Sequence, residues 1–294
     1  ADPSSSSPPS SSISAEEAAA AAAAVLGSEV GVSSVPGGSG VKAGGAAVTV
    51  IHVVGDSHVL SPAWKAFPLT ADEPSLQRVA VLKPELTTGC KHWHLRDECT
   101  FYPKRNFERV TVSIPNEATV LFVLGEIDCR EGLLVAVEKD RYPDLETGMR
   151  ATMAHFLTTL ASLVEAKRWR VLVHPIVPVL DETRPVVKLY NALLREQVNA
   201  LGEALRAKKQ KQQQQQLSSI TAEASTTAGA GEGGGGGQGG SVAWLEGVFE
   251  ELLVNSKGGG LKPEYHLDGT HLHPMYVENL LVPAVVKALE PNYF

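Results

Sequence analysis

Residues 48–60 read VTVIHVVGDSHVL: an almost wholly apolar run, 48–54, followed at once by Gly55-Asp56-Ser57-His58. A short apolar run closed by a glycine suits a strand buried on both faces, the habit of strands in parallel sheets. Open parallel sheets bind their ligands beyond the carboxyl ends of the strands. A hydroxyl, a carboxylate and an imidazole at that position therefore mark a candidate site.

Four further apolar runs follow, at 78–82, 118–124, 171–177 and 242–248. Between them lie helical patterns. Leu145, Met149, Met153, Phe156, Leu157, Leu160 and Val164 recur at steps of one, three and four behind Asp144, a good N-cap. Val187, Tyr190, Leu194, Val198, Leu201 and Leu205 repeat the pattern, as do Tyr276, Val277, Leu280, Leu281, Val285 and Leu289, where Pro283 is expected to kink or shorten the helix. Strands alternating with helices predict an α/β domain with a parallel sheet joined by right-handed crossovers. Residues 1–46 are rich in Ser, Pro, Ala and Gly and read as a disordered low-complexity leader. The Gln and Gly runs at about 207–240 read as a flexible surface insertion within one domain spanning 47–294.

The chain has 294 residues, 43% of them hydrophobic, ample for a buried core. Its formal charge of −7, with no dense basic block beyond a short stretch at 208–211, argues against nucleic acid as a partner. The stretch LRDECTFYPKRNFERV at 95–110 mixes aromatic and basic residues, but its acids balance the charge, so a surface loop is expected there. No window is apolar enough for a membrane span. Cys90, Cys99 and Cys129 are too few for a disulfide scaffold, and a Cys90–Cys99 bridge is left open. His92, His94 and Cys90 offer ligand types, but the spacing supplies no set of three convergent ligands, so no metal is expected. His174, in an apolar run, reads as a core histidine.

Serine attacks a carbonyl only when an imidazole can take its proton, and that imidazole needs a carboxylate to fix its tautomer. Ser57 ends the first run, and Asp268-Gly269-Thr270-His271 precedes the last helix, so His271 and Asp268 can fill those parts. Backbone N–H groups at the start of the turn after the strand can face a developing oxyanion. The third run ends in Gly125-Glu126-Ile127-Asp128-Cys129-Arg130. Its charged residues are expected to form a bracing network, with a direct site role as the alternative, and Asp56 is expected to brace its own turn.

VVGDSHVLSPAW together with DGTHLHP resembles the first and last sequence blocks of the SGNH, or GDSL-type, hydrolase superfamily. The resemblance implies a three-layer α/β/α sandwich with a parallel, flavodoxin-like five-stranded sheet, Ser57 as nucleophile, His271 as base and Asp268 as its orienting acid. It implies a serine esterase that uses no cofactor, acting on a small-molecule or carbohydrate ester. A carbohydrate O-acetyltransferase and a non-catalytic binding module of the same fold are the alternatives. In that family a Gly N–H and an Asn side chain face the oxyanion. Gly89 is the candidate for the first, whereas Ile127 stands at the Asn position and cannot donate. Arg130, His92, His94 and Arg96 are the candidates to replace it.

Overall fold

The computed structural model describes residues 48–69, 78–224, 240–254 and 259–290. The expected leader and residues 225–239 of the expected insertion lie outside the described residues. Each of the five apolar runs contributes a strand: β1 Val48–Gly55, β3 Val79–Leu86, β4 Thr119–Val123, β5 Arg170–Val173 and β6 Ser241–Trp244. All five are parallel, and β2, Ala66–Pro68, adds an antiparallel edge to give a six-stranded sheet in the order β2-β3-β1-β4-β5-β6. Chain order reverses direction across the sheet at β1 and β4, which makes the end of that pair the topological switch point.

Among the described residues six α-helices follow in chain order: α1 Tyr102–Ser113, α2 Leu133–Glu138, α3 Leu145–Lys167, α4 Arg184–Ala224, α5 Val248–Leu252 and α6 Val282–Ala288. Alternating side chains of one strand feed two apolar clusters, because successive residues point to opposite faces. In β4, Val120 and Phe122 pack with Phe107 of α1, Met149, Met153 and Phe156 of α3, and Tyr190 and Leu194 of α4. Leu121 and Val123 pack with Val248 and Leu252 of α5, Val285 of α6, and Tyr276 and Leu281 just before it. Burying each such large side chain contributes about 1.5–3 kcal/mol. Asp144 caps α3 by accepting from the Thr147 N–H at 2.8 Å.

Local chemistry adjusts several boundaries. The run at 171–177 is a strand only to Val173, since Pro175 and Pro178 have no N–H for the ladder. The last helical pattern is continuous, with a wide turn, Val277–Leu281, running straight into α6, and Pro283 follows that wide turn, where the regular hydrogen-bond ladder is already interrupted. The basic-aromatic stretch is not a loop from Tyr102 onward: α1 starts there with Pro103 in its first turn and buries Asn106, Phe107 and Thr111. Helix α4 runs through the Gln run to Ala224, past the expected start of the insertion at about 207. Lys, Gln and Ala are good helix formers whether or not a face is buried, and side chains 210–215 are exposed. The three cysteines are buried and free, with no Cys90–Cys99 bridge. No helix among the described residues is long and apolar enough to cross a membrane.

Candidate active site

The corner after β1 is held from both sides. Gly55 lies so close to β4 that a Cβ on it would stand 2.1 Å from the Val123 carbonyl oxygen, so no side chain fits. Thr87, just past β3, donates to the Gly55 carbonyl twice, from its N–H at 2.6 Å and its hydroxyl at 2.9 Å. The chain then enters a tight helical turn, Ser57–Leu60, capped by Asp56, whose Oδ1 accepts from the His58 N–H at 3.0 Å. Asp56, His58 and Val59 are buried and Ser57 alone of the first three turn residues is exposed. Burial pushes the Asp56 carboxyl above its ordinary range, against the pull of His58.

Residues 214 positions away complete the site: His271 Nε2 is 2.9 Å from Ser57 Oγ. The other ring nitrogen, Nδ1, is 2.9 Å from Asp268 Oδ2 and 3.1 Å from Oδ1. Asp268 also accepts from the Thr270 N–H at 2.7 Å and the His271 N–H at 2.8 Å. The Thr270 bond above all, then His271, holds its carboxyl well below the usual carboxylate range. An ionised Asp268 keeps the proton on Nδ1, which leaves the Nε2 lone pair toward the serine hydroxyl. The two segments are stitched by Ser61, whose hydroxyl donates to the Leu272 carbonyl at 2.7 Å.

Behind this row lies a second one, in which His58 of the first motif meets the charged loop after β4, where a bracing network is expected. The buried His58 ring sits 5.3 Å from that of His271, centroid to centroid, and its Nε2 is 3.7 Å from Glu126 Oε2. Arg130 Nε is 3.4 Å from Glu126 Oε1, within ion-pair distance but not aligned as a hydrogen bond. The Glu126–Arg130 ion pair is part of the bracing network expected there, whereas the approach of His58 to Glu126 joins two loops that no local pattern links.

The candidate oxyanion groups are distributed differently. Gly89, at φ +64°, is the third residue of a turn closed by Cys90 N–H to the Thr87 carbonyl at 3.0 Å. Arg130 faces Glu126 and Glu131, and no hydrogen bond or ion pair among the described residues joins it or Gly89 to Ser57. His92 is out of reach: it is fully buried, stacked on Phe156, bonded to the Tyr190 hydroxyl at 2.8 Å, and pushed down to about 3 by burial. His94 accepts from the Lys91 N–H at 3.1 Å, and Arg96 lies over the Trp93 ring. Ile127 is half-buried at the mouth of the loop. His174 is a buried residue whose Nδ1 lies 2.6 Å from the Pro175 carbonyl oxygen.

Asp128 is a clamp. Its carboxyl accepts from the His92 N–H at 2.7 Å and the Trp93 N–H at 3.2 Å, tying the β4 loop to the turn His92–Leu95. Burial pushes it up to about 7 although those bonds pull it down. A carboxyl raised in the folded state stabilises the protein below its unfolded value of 3.8 and loses that contribution as pH rises through about 7. Each unit of such a shift corresponds to about 1.4 kcal/mol. Wild-type melting temperature is therefore expected to fall relative to that of Asp128→Asn between about pH 4 and pH 8. Parallel curves would mean that Asp128 titrates like an exposed carboxylate.

Among the described residues no group of three or more His, Cys, Asp or Glu side chains is placed to hold a metal ion. No protein-family model, no curated protein and no solved structure matches this chain.

Proposed function

We propose that the chain is a serine esterase of the SGNH, GDSL-type superfamily, built as a three-layer α/β/α sandwich and acting on a short acyl ester carried by a carbohydrate. The observation that carries this reading is the continuous chain Ser57 Oγ, His271 Nε2, His271 Nδ1, Asp268 at hydrogen-bond distances, on an exposed corner at the end of β1. Support for the fold comes from the parallel strands, which run second, first, third, fourth, fifth in chain order, the flavodoxin-like arrangement, with β2 as an extra edge. Apolar clusters with helices on both faces support the sandwich.

In this mechanism Ser57 Oγ attacks the acyl carbonyl carbon while His271 Nε2 takes the hydroxyl proton, and Asp268 stabilises the imidazolium. The tetrahedral intermediate collapses, the ester C–O bond breaks, and His271 returns the proton to the leaving alkoxide. Water then attacks the acyl-enzyme with His271 again as base, releasing the carboxylic acid and restoring Ser57. Backbone N–H groups at Ser57 and Gly89 receive the oxyanion. The side-chain donor lost at Ile127 is worth about 3–4 kcal/mol elsewhere, so slow turnover is expected.

Ile127 also favours a second reading, an O-acetyltransferase in which a sugar hydroxyl replaces water at the acyl-enzyme. Turnover of p-nitrophenyl acetate with and without a glycan acceptor separates the two. Acetate as the sole product in both cases supports the esterase, and acetylated glycan supports the transferase. No acetyl release under either condition would leave a binding module.

A further inference from the structure

The end of the sheet that carries Ser57 holds a second feature which the proposed reaction does not use. A cavity of about 280 Å³ opens between the turn His92–Leu95, the wide turn Asp128–Gly132 with α2, and the first half of α3. That is close to the lower end, about 300 Å³, of cavities that take small ligands.

Two aromatic rings line it, Trp93 and Tyr142, and each lies against a neighbouring residue. The Arg96 guanidinium carbon lies 3.2 Å from the centroid of the Trp93 ring. Tyr142 lies against Gly148, where a Cβ would stand 2.9 Å from its Cδ2. Thr152 also lines the cavity; it is 1% exposed and its hydroxyl has no hydrogen-bond partner in the protein. A buried hydroxyl without a partner is costly, and a polar ligand group can meet it. The remaining polar lining holds three cations, Lys91, Lys139 and Arg141, beside His94 and two carboxyls, Asp128, which is tied to the His92 and Trp93 N–H groups, and Glu131. Lys91 is 3.8 Å from Glu131, whereas Lys139 and Arg141 pair with no carboxylate among the described residues. In a chain with a formal charge of −7, unpaired cations gathered at one cavity run against the overall field.

We propose that this cavity is a saccharide subsite for a ring bearing a carboxylate, a uronic acid unit of the carbohydrate ester. The assignment of that ring to the substrate rests on the acyl-transfer reading above. Aromatic rings bury the apolar face of a pyranose, the Thr152 hydroxyl meets a ring hydroxyl, and Lys139 with the planar fork of Arg141 receives the carboxylate.

The test is calorimetric titration of full-length Ser57→Ala protein, which cannot turn substrate over, with a galacturonate trisaccharide and with neutral galactotriose. The acidic sugar is expected to bind at least about tenfold more tightly than the neutral one. Adding Lys139→Gln and Arg141→Gln, both on exposed side chains, is expected to remove at least about tenfold of that affinity with the melting temperature unchanged. No binding of the trisaccharide, equal binding of the two sugars, or full affinity in the Gln variant overturns the subsite. Because the readout is binding, it separates from the esterase reading. A subsite that binds beside an unreactive Ser57 leaves a binding module, and a reactive Ser57 without binding leaves the esterase and removes the subsite.

Discussion

Replacing Ser57 with alanine is expected to lower short-acyl ester turnover by about 10⁴-fold or more, because the path through an acyl-enzyme is then closed. His271→Ala is expected to cost a similar factor. The double variant should be no slower than either single one, since two groups that act as one unit are strongly non-additive. That non-additivity distinguishes a shared proton path from two independent contributions. Ser57 is exposed and its hydroxyl bonds to His271, so its loss should shift stability by no more than about 0.5 kcal/mol. Initial rates with p-nitrophenyl acetate, together with melting curves, check both halves. Losses that multiply in the double variant would show that His271 does not serve Ser57.

Gly55→Ala is expected to be the most damaging single methyl group in the site. The new Cβ would stand 2.1 Å from the Val123 carbonyl oxygen and 2.9 Å from Val59 Cγ1. Neither can retreat cheaply, because Gly55 pairs with Val123 in the β1–β4 ladder and Val59 is fully buried. Overpacking of this kind costs about 3 kcal/mol or more, which lowers the melting temperature of a domain this size by about 6–12 °C. Gly269→Ala is the control, since a Cβ there meets nothing within 4 Å. Equal melting temperatures for the two variants would contradict the close approach of β1 to β4. Activity in Gly55→Ala should also fall, because the same approach aims Ser57 at His271.

The sheet was legible because burial on both faces leaves no room for polar residues, so each parallel strand wrote itself as an apolar run. α3 was legible for the complementary reason: a one-sided apolar stripe behind a capping Asp144. β2 left no such trace, being three residues at an edge that are placed by turns such as Trp64 N–H to the Leu82 carbonyl at 2.7 Å. α1 was missed because two of its three buried residues, Asn106 and Thr111, are polar, which blurs the stripe. The continuation of α4 was missed because composition reports what can be buried, not which local conformation a run prefers.

In the site, residue types and the two sequence blocks grouped Ser57 with His271 and Asp268, and the fold brings those three side chains within hydrogen-bond distance. The meeting of Ser57 with His271 depends on the whole sheet and on the Ser61–Leu272 stitch, which no local pattern encodes. The same holds for Asp128, whose clamp on the His92–Leu95 turn joins two loops 36 positions apart. His92 and Arg130 were reasonable oxyanion candidates by residue type alone. Burial against Phe156 removes the first, and the second faces Glu126.

The most direct measurement is reaction of the full-length protein with a fluorophosphonate, followed by mass spectrometry of its peptides. A hydroxyl whose proton passes to His271 should displace fluoride and leave one phosphonyl group on the peptide containing Ser57, with no adduct in Ser57→Ala or His271→Ala. An unmodified Ser57 peptide, or an adduct confined to another residue, would contradict the account.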